Sequence, residues 1–529
     1  MPPLPANASS LFHDSTQQSH SRALTAEPGS VRWPGLTVLY HPDLRRAGER
    51  ALLSELAAGR PERLSRLEPL FAAPVADAPA TPLAHRRLSR QPLVFERRGE
   101  GILLRVDGGL TPVAADGEPV SGERLFRAEE IDRGVVLLLA GRVVLLLHRL
   151  DPYLDPTLPR FGMVGEHPAL TAVRRSLQQV AGTAVPVLLR GESGTGKELA
   201  AEALHQAGTR RDGPFLAVNM AAVPASLAAA ELFGAARGAF TGADRRRDGF
   251  FARAHGGTLF LDEIGEMPVE VQILLLRCLE TGEIQPVGEA PRRVDVRLVA
   301  ATDADLESAV AAGRFRAPLL YRLEGFRILL PPLRERREDF GRLLVTFLRQ
   351  ELQAAGEPER LEADPPWLPA EAVARLALHP WPGNVRQLRN IVRQLVIANR
   401  GRSEALLDPA LAAALLEPAA APPPLSPQSP PPAHTEPRKP ADVTEDELIA
   451  ALQATRFRPH AAARLLGIPR PSIYHLMNKS PRLQTSANLT RETLEAACLR
   501  FGADVASMAA ALEVSEQGLR RRLRELGLP

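Results

Sequence analysis

Between residues 31 and 150 the apolar positions fall in runs of strand length, LTVLYH, PLVFER and GILLRVD, cut by Gly, Asp and Pro. Runs of that length between turn-forming residues predict strands. The stretch ends in GVVLLLAGRVVLLLH (134–148), which is too short to cross a bilayer and is broken by Gly141 and Arg142. It predicts two buried strands joined by a tight Ala-Gly turn, and with the others a β-sandwich. Beyond residue 164 the pattern changes. Apolar strands such as AVPVLLR (184–190), GGTLFLDE (256–263) and RLVAATD (297–303) mark an α/β domain, with ELAAEALHQA as one of its helices. From about 416 to 440 the chain is proline-rich and poor in bulky apolar residues, so a stiff extended spacer is expected.

After the spacer the pattern repeats itself with an offset of 46 residues. Thr444 pairs with Thr490, Leu448 with Leu494, Ala463 with Ala509, Leu466 with Leu512, Ile468 with Val514 and Ile473 with Leu519. Each copy reads as a capped helix, a short helix ending in an apolar turn and a second short helix, the order of a helix-turn-helix. The last helices present Arg470, Ser472, Tyr474 and His475 in the first copy, and Gln517, Arg520, Arg521 and Arg524 in the second. One helix face brings such side chains to base edges and phosphates. Two DNA readers, or one reader packed on a structural partner, both fit the duplication.

Composition narrows the classes. A chain of 529 residues exceeds one core, and 49 prolines agree with linkers. Two cysteines, Cys278 and Cys498, lie in separate predicted helices and build neither a disulfide framework nor a metal cluster. With a polar first 30 residues, no secretory signal and no membrane span, the expected location is the cytoplasm. A net charge of +3 implies no nucleic acid by itself.

The chemistry lies in the α/β region. GESGTGKE (191–198) fits G-x-x-x-x-G-K and stands between a strand and a helix, the setting of a polyphosphate loop. Gly191, Glu192, Ser193, Gly194, Thr195, Gly196, Lys197 and Glu198 are its candidate nucleotide-binding residues. Glu198 occupies the place of the usual Ser/Thr, so the acidic strand must do more of the metal work. That strand ends in Asp262, placed to organise Mg²⁺, and Glu263, placed to polarise the attacking water. Between the two lies GAFTGA, where Gly238, Ala239, Phe240, Thr241, Gly242 and Ala243 make a glycine-hinged segment of small residues around one aromatic. It reads as a lever tied to phosphate state.

With ELFGAARGAFTGA, LFLDEIGEMP, GRFRAPLLYRL (313–323), LPPLRERRED (330–339) and WPGNVRQLRN (381–390), residues 164–400 resemble the bacterial enhancer-binding proteins that activate sigma-54 RNA polymerase through an AAA+ ATPase. The resemblance implies ATP and Mg²⁺ as ligands, a homo-oligomeric ring taken as a hexamer, and sigma-54 contacts through Phe240 and Thr241. It also implies Arg316 and Arg322 as fingers into a neighbouring subunit's site, Arg386 as a lid arginine sensing the γ-phosphate, and Asn219 as a restraint on Glu263. Three positions depart from the family: Asp303 where Asn is usual, Ala252 where Glu is usual, and Gln387 where Glu is common. Hydrolysis, or its coupling to the loop, is therefore expected to be weakened while binding persists.

LSRQPLVFERRGEGILLRVDGGLTPVAADGEPV resembles a forkhead-associated domain, which reads phosphothreonine peptides. Arg50, with Arg46 as the weaker choice, and Ser89 with Arg90 are the candidate phosphate contacts. Pro92 and Asp116 stand where that family has His and Asn, and an acidic side chain disfavours a phosphate. The tail repeats resemble Fis-type DNA-binding domains.

The expected layout is a tail (1–30), the sandwich (31–150), a linker (151–163), the AAA+ α/β part (164–335), a helical lid (336–405), the spacer (406–440) and two helix-turn-helix copies (441–483 and 488–529). The whole reads as a sigma-54-dependent activator that binds an upstream activating site on DNA. A DNA-binding repressor or scaffold with a slow ATPase is the alternative, and a protein-unfolding AAA+ motor is disfavoured by GAFTGA and the tail.

Overall fold

The computed structural model describes residues 32–407 except 75–77, 107–110, 152–154, 156 and 239–245. Further on it describes 443–455, 462–463, 466, 468, 472–473, 476–477, 480, 489, 491–501, 508, 512, 519 and 522–523. The chain divides into two compact units, 1–419 and 420–529.

The amino-terminal strands are β1 (Trp33–Tyr40), β2 (Arg50–Leu52), β3 (Glu62–Leu64), β4 (Leu93–Arg98), β5 (Gly101–Val106), β6 (Val113–Ala115), β7 (Glu118–Pro119), β8 (Gly122–Phe126), β9 (Val135–Leu139) and β10 (Val143–Leu150). They form antiparallel sheets of order β2-β1-β10-β9-β6-β7 and β3-β4-β5-β8, with a common apolar core. The expected hairpin is β9–β10, with Val143 opposite Leu139. Its turn residues Ala140 and Gly141 take φ of 50° and 60°, the positive values a tight hairpin turn requires.

The apolar runs of β9 and β10 do not alternate with polar residues because both faces are covered. Val143, Leu145 and Leu147 point into the sandwich core, whereas Val144, Leu146 and Val136, with Leu39 and Tyr40 of β1, join a second core. Helices from the other end of the same unit complete that second core: α5 (Phe340–Ala354), α6 (Ala370–Leu378) and α7 (Asn384–Ala398). The contact is close enough that a Cβ on Gly341 of α5 would lie 2.2 Å from the Leu39 carbonyl oxygen. The Tyr40 hydroxyl donates to the Leu368 carbonyl at 2.5 Å. The sandwich expected as a separate module thus shares its core with the lid.

Polar and charged groups seal the junction. Arg50 bonds Glu338 at 2.9 Å, with their side chains 12% and 3% exposed, and His148 Nδ1 lies 3.5 Å from the same carboxylate. Arg337 donates to the carbonyls of Arg133, Gly134 and Ala377.

The central domain is a parallel sheet of order β12-β13-β16-β11-β17. Its strands are β11 (Val187–Arg190), β12 (Phe215–Asn219), β13 (Thr258–Asp262), β16 (Arg297–Thr302) and β17 (Phe326–Leu329), and a separate ribbon pairs β14 (Glu283–Ile284) with β15 (Arg292–Arg293). The helices that position the site are α1 (Pro168–Ala181), α2 (Lys197–Gln206), α3 (Val269–Thr281) and α4 (Ala317–Leu323).

In the second unit the sequence repeat has a structural counterpart. Helices α8 (Glu445–Ala454) and α9 (Arg491–Phe501) begin the two copies, and each copy has its own small apolar cluster. Leu448 and Leu494 are buried, as are Ile473 and Leu519. The bond from the Leu466 N–H to the Ala462 carbonyl recurs as that from Leu512 to Met508. Thr444 and Glu447 cap α8 reciprocally, as a T-x-x-E sequence predicts.

Candidate functional site

In a parallel sheet the crevice at the carboxyl ends of the strands receives the ligand. Register brings the candidate residues together there. Asn219 is paired with Asp262 across β12 and β13, and Arg190, which leads into the glycine loop, is paired with Thr302, which leads into Asp303. The loop turns on Gly191, Gly194 and Gly196, with φ of 153°, 78° and 106°. A Cβ at Gly194 would lie 2.3 Å from the Gly383 carbonyl oxygen, so a side chain is excluded by space as well as by backbone. Lys197 opens α2, is buried, and donates to the Gly191 carbonyl at 2.8 Å. Thr195 is buried and donates to the Glu192 carbonyl, while Glu198 is exposed in the first turn of α2.

Asp262 accepts the Glu263 N–H through Oδ1 at 3.0 Å, which fixes the carboxylate at the strand end. Glu263 itself takes φ of 52°. Burial first, then the charge of Asp303, raises its carboxyl above the usual range, and Lys197 opposes them. A carboxyl so placed holds its proton more readily than an exposed one and is a basic partner for water once ionised. Asn219 uses Oδ1 to cap the Ala221 N–H at 2.9 Å, and among the described residues no bond joins it to Glu263.

The arginines lie in two places. Arg386 on α7 donates to the Ser193 hydroxyl at 3.0 Å, directly over the loop. Arg316 is exposed at the start of α4, its N–H held by Gln272 Oε1, and Arg322 holds the Leu279 carbonyl near the end of α3. Gln387, in place of the family's Glu, accepts the Gly383 N–H and so keeps a capping role.

Sequence reasoning missed Arg334, Arg336 and Asn384. Arg334 forks onto the Glu192 carboxylate, Asn384 bridges Glu192 and Ser193, and buried Arg336 reaches the Thr195 carbonyl at 3.4 Å. All three lie in motifs quoted from the sequence, LPPLRERRED and WPGNVRQLRN, but nothing in the sequence says that they meet the loop.

Gly238 ends the described part of the lever at φ of 80°, and Ala239, Phe240, Thr241, Gly242 and Ala243 lie outside the described residues. The base of that loop is pinned, because Ala235 and Arg247 exchange both backbone bonds at 3.0 Å and Ala236 donates to the Val287 carbonyl.

In the sandwich, Arg50 is not open to a phosphate: its guanidinium is engaged by Glu338. Arg46 is likewise buried, bonding Glu49 and the carbonyls of Thr81, Pro82 and Leu83. Ser89 is half-buried and Arg90 exposed. Arg66, which the sequence reading passed over, donates its N–H to the Ser89 carbonyl at 3.0 Å. Asp116 has a structural task, accepting the Val136 N–H from a positive-φ turn. Of the proposed DNA contacts Ser472 is helical and half-buried, and Arg470, Tyr474, His475, Gln517, Arg520, Arg521 and Arg524 lie outside the described residues.

Residues 163–329 match the family model of the sigma-54 interaction domain, and 334–421 match that of the AAA+ ATPase lid domain. Among curated proteins, the DNA-binding transcriptional regulator NtrC of Azospirillum brasilense is 50% identical over 242 residues, 46% of this chain and 48% of that protein. NtrC of Rhizobium meliloti is 41% identical over 335 residues, 59% of this chain and 68% of that protein. The chain spans about half the length of the first of these relatives. A solved structure of NtrX from Brucella abortus in complex with ATP is 31% identical, covering 69% of this chain and 70% of that one, with a TM-score of 0.43.

Proposed function

The chain belongs to the sigma-54-dependent AAA+ activators, and from that membership we propose that it hydrolyses ATP in an oligomeric ring, a hexamer, to remodel sigma-54 RNA polymerase at a promoter. The observation that carries the reading is the meeting, at the carboxyl ends of the parallel strands, of the glycine loop and Lys197 with Asp262 and Glu263.

The loop's N–H groups and Lys197 would hold the triphosphate, Glu263 would polarise the attacking water, and Arg386 would follow the γ-phosphate. Among the described residues no group of three or more His, Cys, Asp or Glu side chains could hold a metal unaided. Asp262, with one oxygen free of the Glu263 N–H, suits a magnesium ion completed by phosphates and water. Such an ion would neutralise charge on the β- and γ-phosphates. Arg316 and Arg322, exposed away from these bonds, suit the role of fingers offered to a neighbouring copy. The segment around Phe240 and Thr241 would carry the stroke to the sigma factor.

The two tail repeats would bind the upstream DNA site, and a phosphothreonine peptide would have Ser89 and Arg90 as its remaining contacts on the sandwich, since Arg50 is engaged by Glu338. Among the described residues no helix is long and apolar enough to cross a membrane. A second reading, a DNA-binding repressor or scaffold with slow turnover, is favoured by Asp303, whose charge disfavours ionised Glu263.

Glu263→Gln decides the catalytic role. The variant should bind a fluorescent ATP analogue as the wild type does and lose steady-state hydrolysis by roughly 10² or more, the scale of a lost general base. Undiminished hydrolysis would remove Glu263 from the reaction.

A further inference from the structure

The phosphate loop is held from above by residues that lie far along the chain. Arg334 donates Nη1 to Glu192 Oε2 at 2.7 Å and Nη2 to Oε1 at 2.6 Å, a two-pronged bond. Asn384, fully buried and at φ of 51°, donates Nδ2 to Glu192 Oε2 at 3.1 Å and to the Ser193 carbonyl at 3.0 Å. Its Oδ1 accepts the Leu333 N–H at 2.8 Å, so one side chain joins the loop, the segment leading into the lid and the first residue of α7. The N–H of Val385 then donates to the Gly194 carbonyl at 3.0 Å.

This arrangement answers a question of charge. Glu192 is an acid inside a loop that must wrap a polyanion, and an unpaired carboxylate there would repel the phosphates. The guanidinium of Arg334, then the Asn384 amide, hold its carboxyl below the usual range and fix where it points.

We propose that Glu192 is a positioning residue which, with Arg334 and Asn384, forms a clasp through which the lid sets the shape of the phosphate loop and hence its affinity for nucleotide. The proposal rests on the reading of this site as an ATPase. The clasp acts on binding and not on the bond-breaking step, because none of its side chains is bonded to Asp262 or Glu263 among the described residues. Movement of α7 or of the segment at Leu333 would pull on Glu192 and change the loop.

Four full-length proteins form the core of the test, wild type, Glu192→Ala, Arg334→Ala and the double variant, with Arg334→Lys as a fifth. The affinity of each for a fluorescent ATP analogue is read by anisotropy, beside KM and kcat for ATP. Each single variant should raise Kd and KM about three- to tenfold, a range discounted for the partial exposure of the pair, with kcat within about twofold. The double variant should be no worse than either single, since residues acting through one bond are non-additive. Arg334→Lys, which keeps the charge but loses the fork, should fall between wild type and Arg334→Ala. Equal Kd values in all four proteins, additive losses, or a fall in kcat at unchanged KM would overturn the clasp. If the wild type binds the analogue without hydrolysing ATP, the ATPase reading fails and the Kd series still judges the clasp. If it binds no nucleotide, both are overturned.

Discussion

His148 shows how a single side chain ties the junction between sandwich and lid to pH. It is buried, bonded to the Thr37 hydroxyl at 2.8 Å, and pushed down to about 3 by burial and then by the charges of Arg50 and Arg337, although the Glu338 carboxylate lies 3.5 Å from its Nδ1. His167, near the same carboxylates, is pushed down to about 4, again by burial first. An unfolded imidazole takes its proton near 6.5, so below that pH the unfolded chain binds protons that the folded one refuses. The stability these groups contribute is therefore complete above about 6.5 and lost as pH falls toward 3 to 4, by up to about 1.4 kcal/mol per pH unit for each. His148→Gln should flatten the pH dependence of urea unfolding between pH 6 and 4, and an unchanged slope would place the titrating group elsewhere. At this scale the convergence of Lys197, Asp262 and Glu263 on one end of the sheet was legible, because phosphate chemistry demands those residue types at fixed spacing from strand and glycine. Arg50 was misread because a guanidinium says only that it wants an anion, and its anion is Glu338, 288 positions away. Arg334 and Asn384 escaped for the same reason, being 142 and 192 positions from Glu192.

Single elements separate what the periodic pattern tells from what it withholds. The hairpin β9–β10 was readable down to its Ala-Gly turn, because two apolar runs broken by residues that accept positive φ have few other solutions. The runs also carried a signal left unused: VVLLL and VVLLL lack the alternation of a half-exposed strand, so a second cover was required. Which element supplies that cover cannot be read locally, since any apolar helix face would do. The lever between Ala235 and Arg247 is the opposite case. Its glycine-hinged composition reads as a lever, and the backbone bonds between Ala235 and Arg247 tie the two ends of its neck together. Thr241→Ala should accordingly keep ATP hydrolysis within a few fold and abolish activation by the purified protein in a sigma-54 transcription assay. Transcription at the wild-type level would remove the tip from the partner contact.

Taken as a whole, the first unit joins sandwich, lid and phosphate loop through packing and not through a tether. Glu338 meets Arg50 of the sandwich, and two residues before it Arg336 touches the Thr195 carbonyl. Gly341→Ala is a direct probe, because its Cβ would press on the Leu39 backbone; overpacking of this kind costs about 1–3 kcal/mol. Calorimetry of the full chain should show the sandwich and the ATPase unfolding in one transition that moves down as one. A sandwich that melts separately, at an unshifted temperature, would mean that the shared core does not couple them. The two copies of the second unit each have their own apolar cluster, whereas the outer face of the sandwich is not a surface, because helices of the lid cover it. There is a consequence for descent. An exchange of residues 1–150 for another domain would strip Leu344, Phe347 and Val373 of the strands that cover them, so sandwich and lid form a matched pair, and a change on the outer face of β1 would call for an answering change on α5.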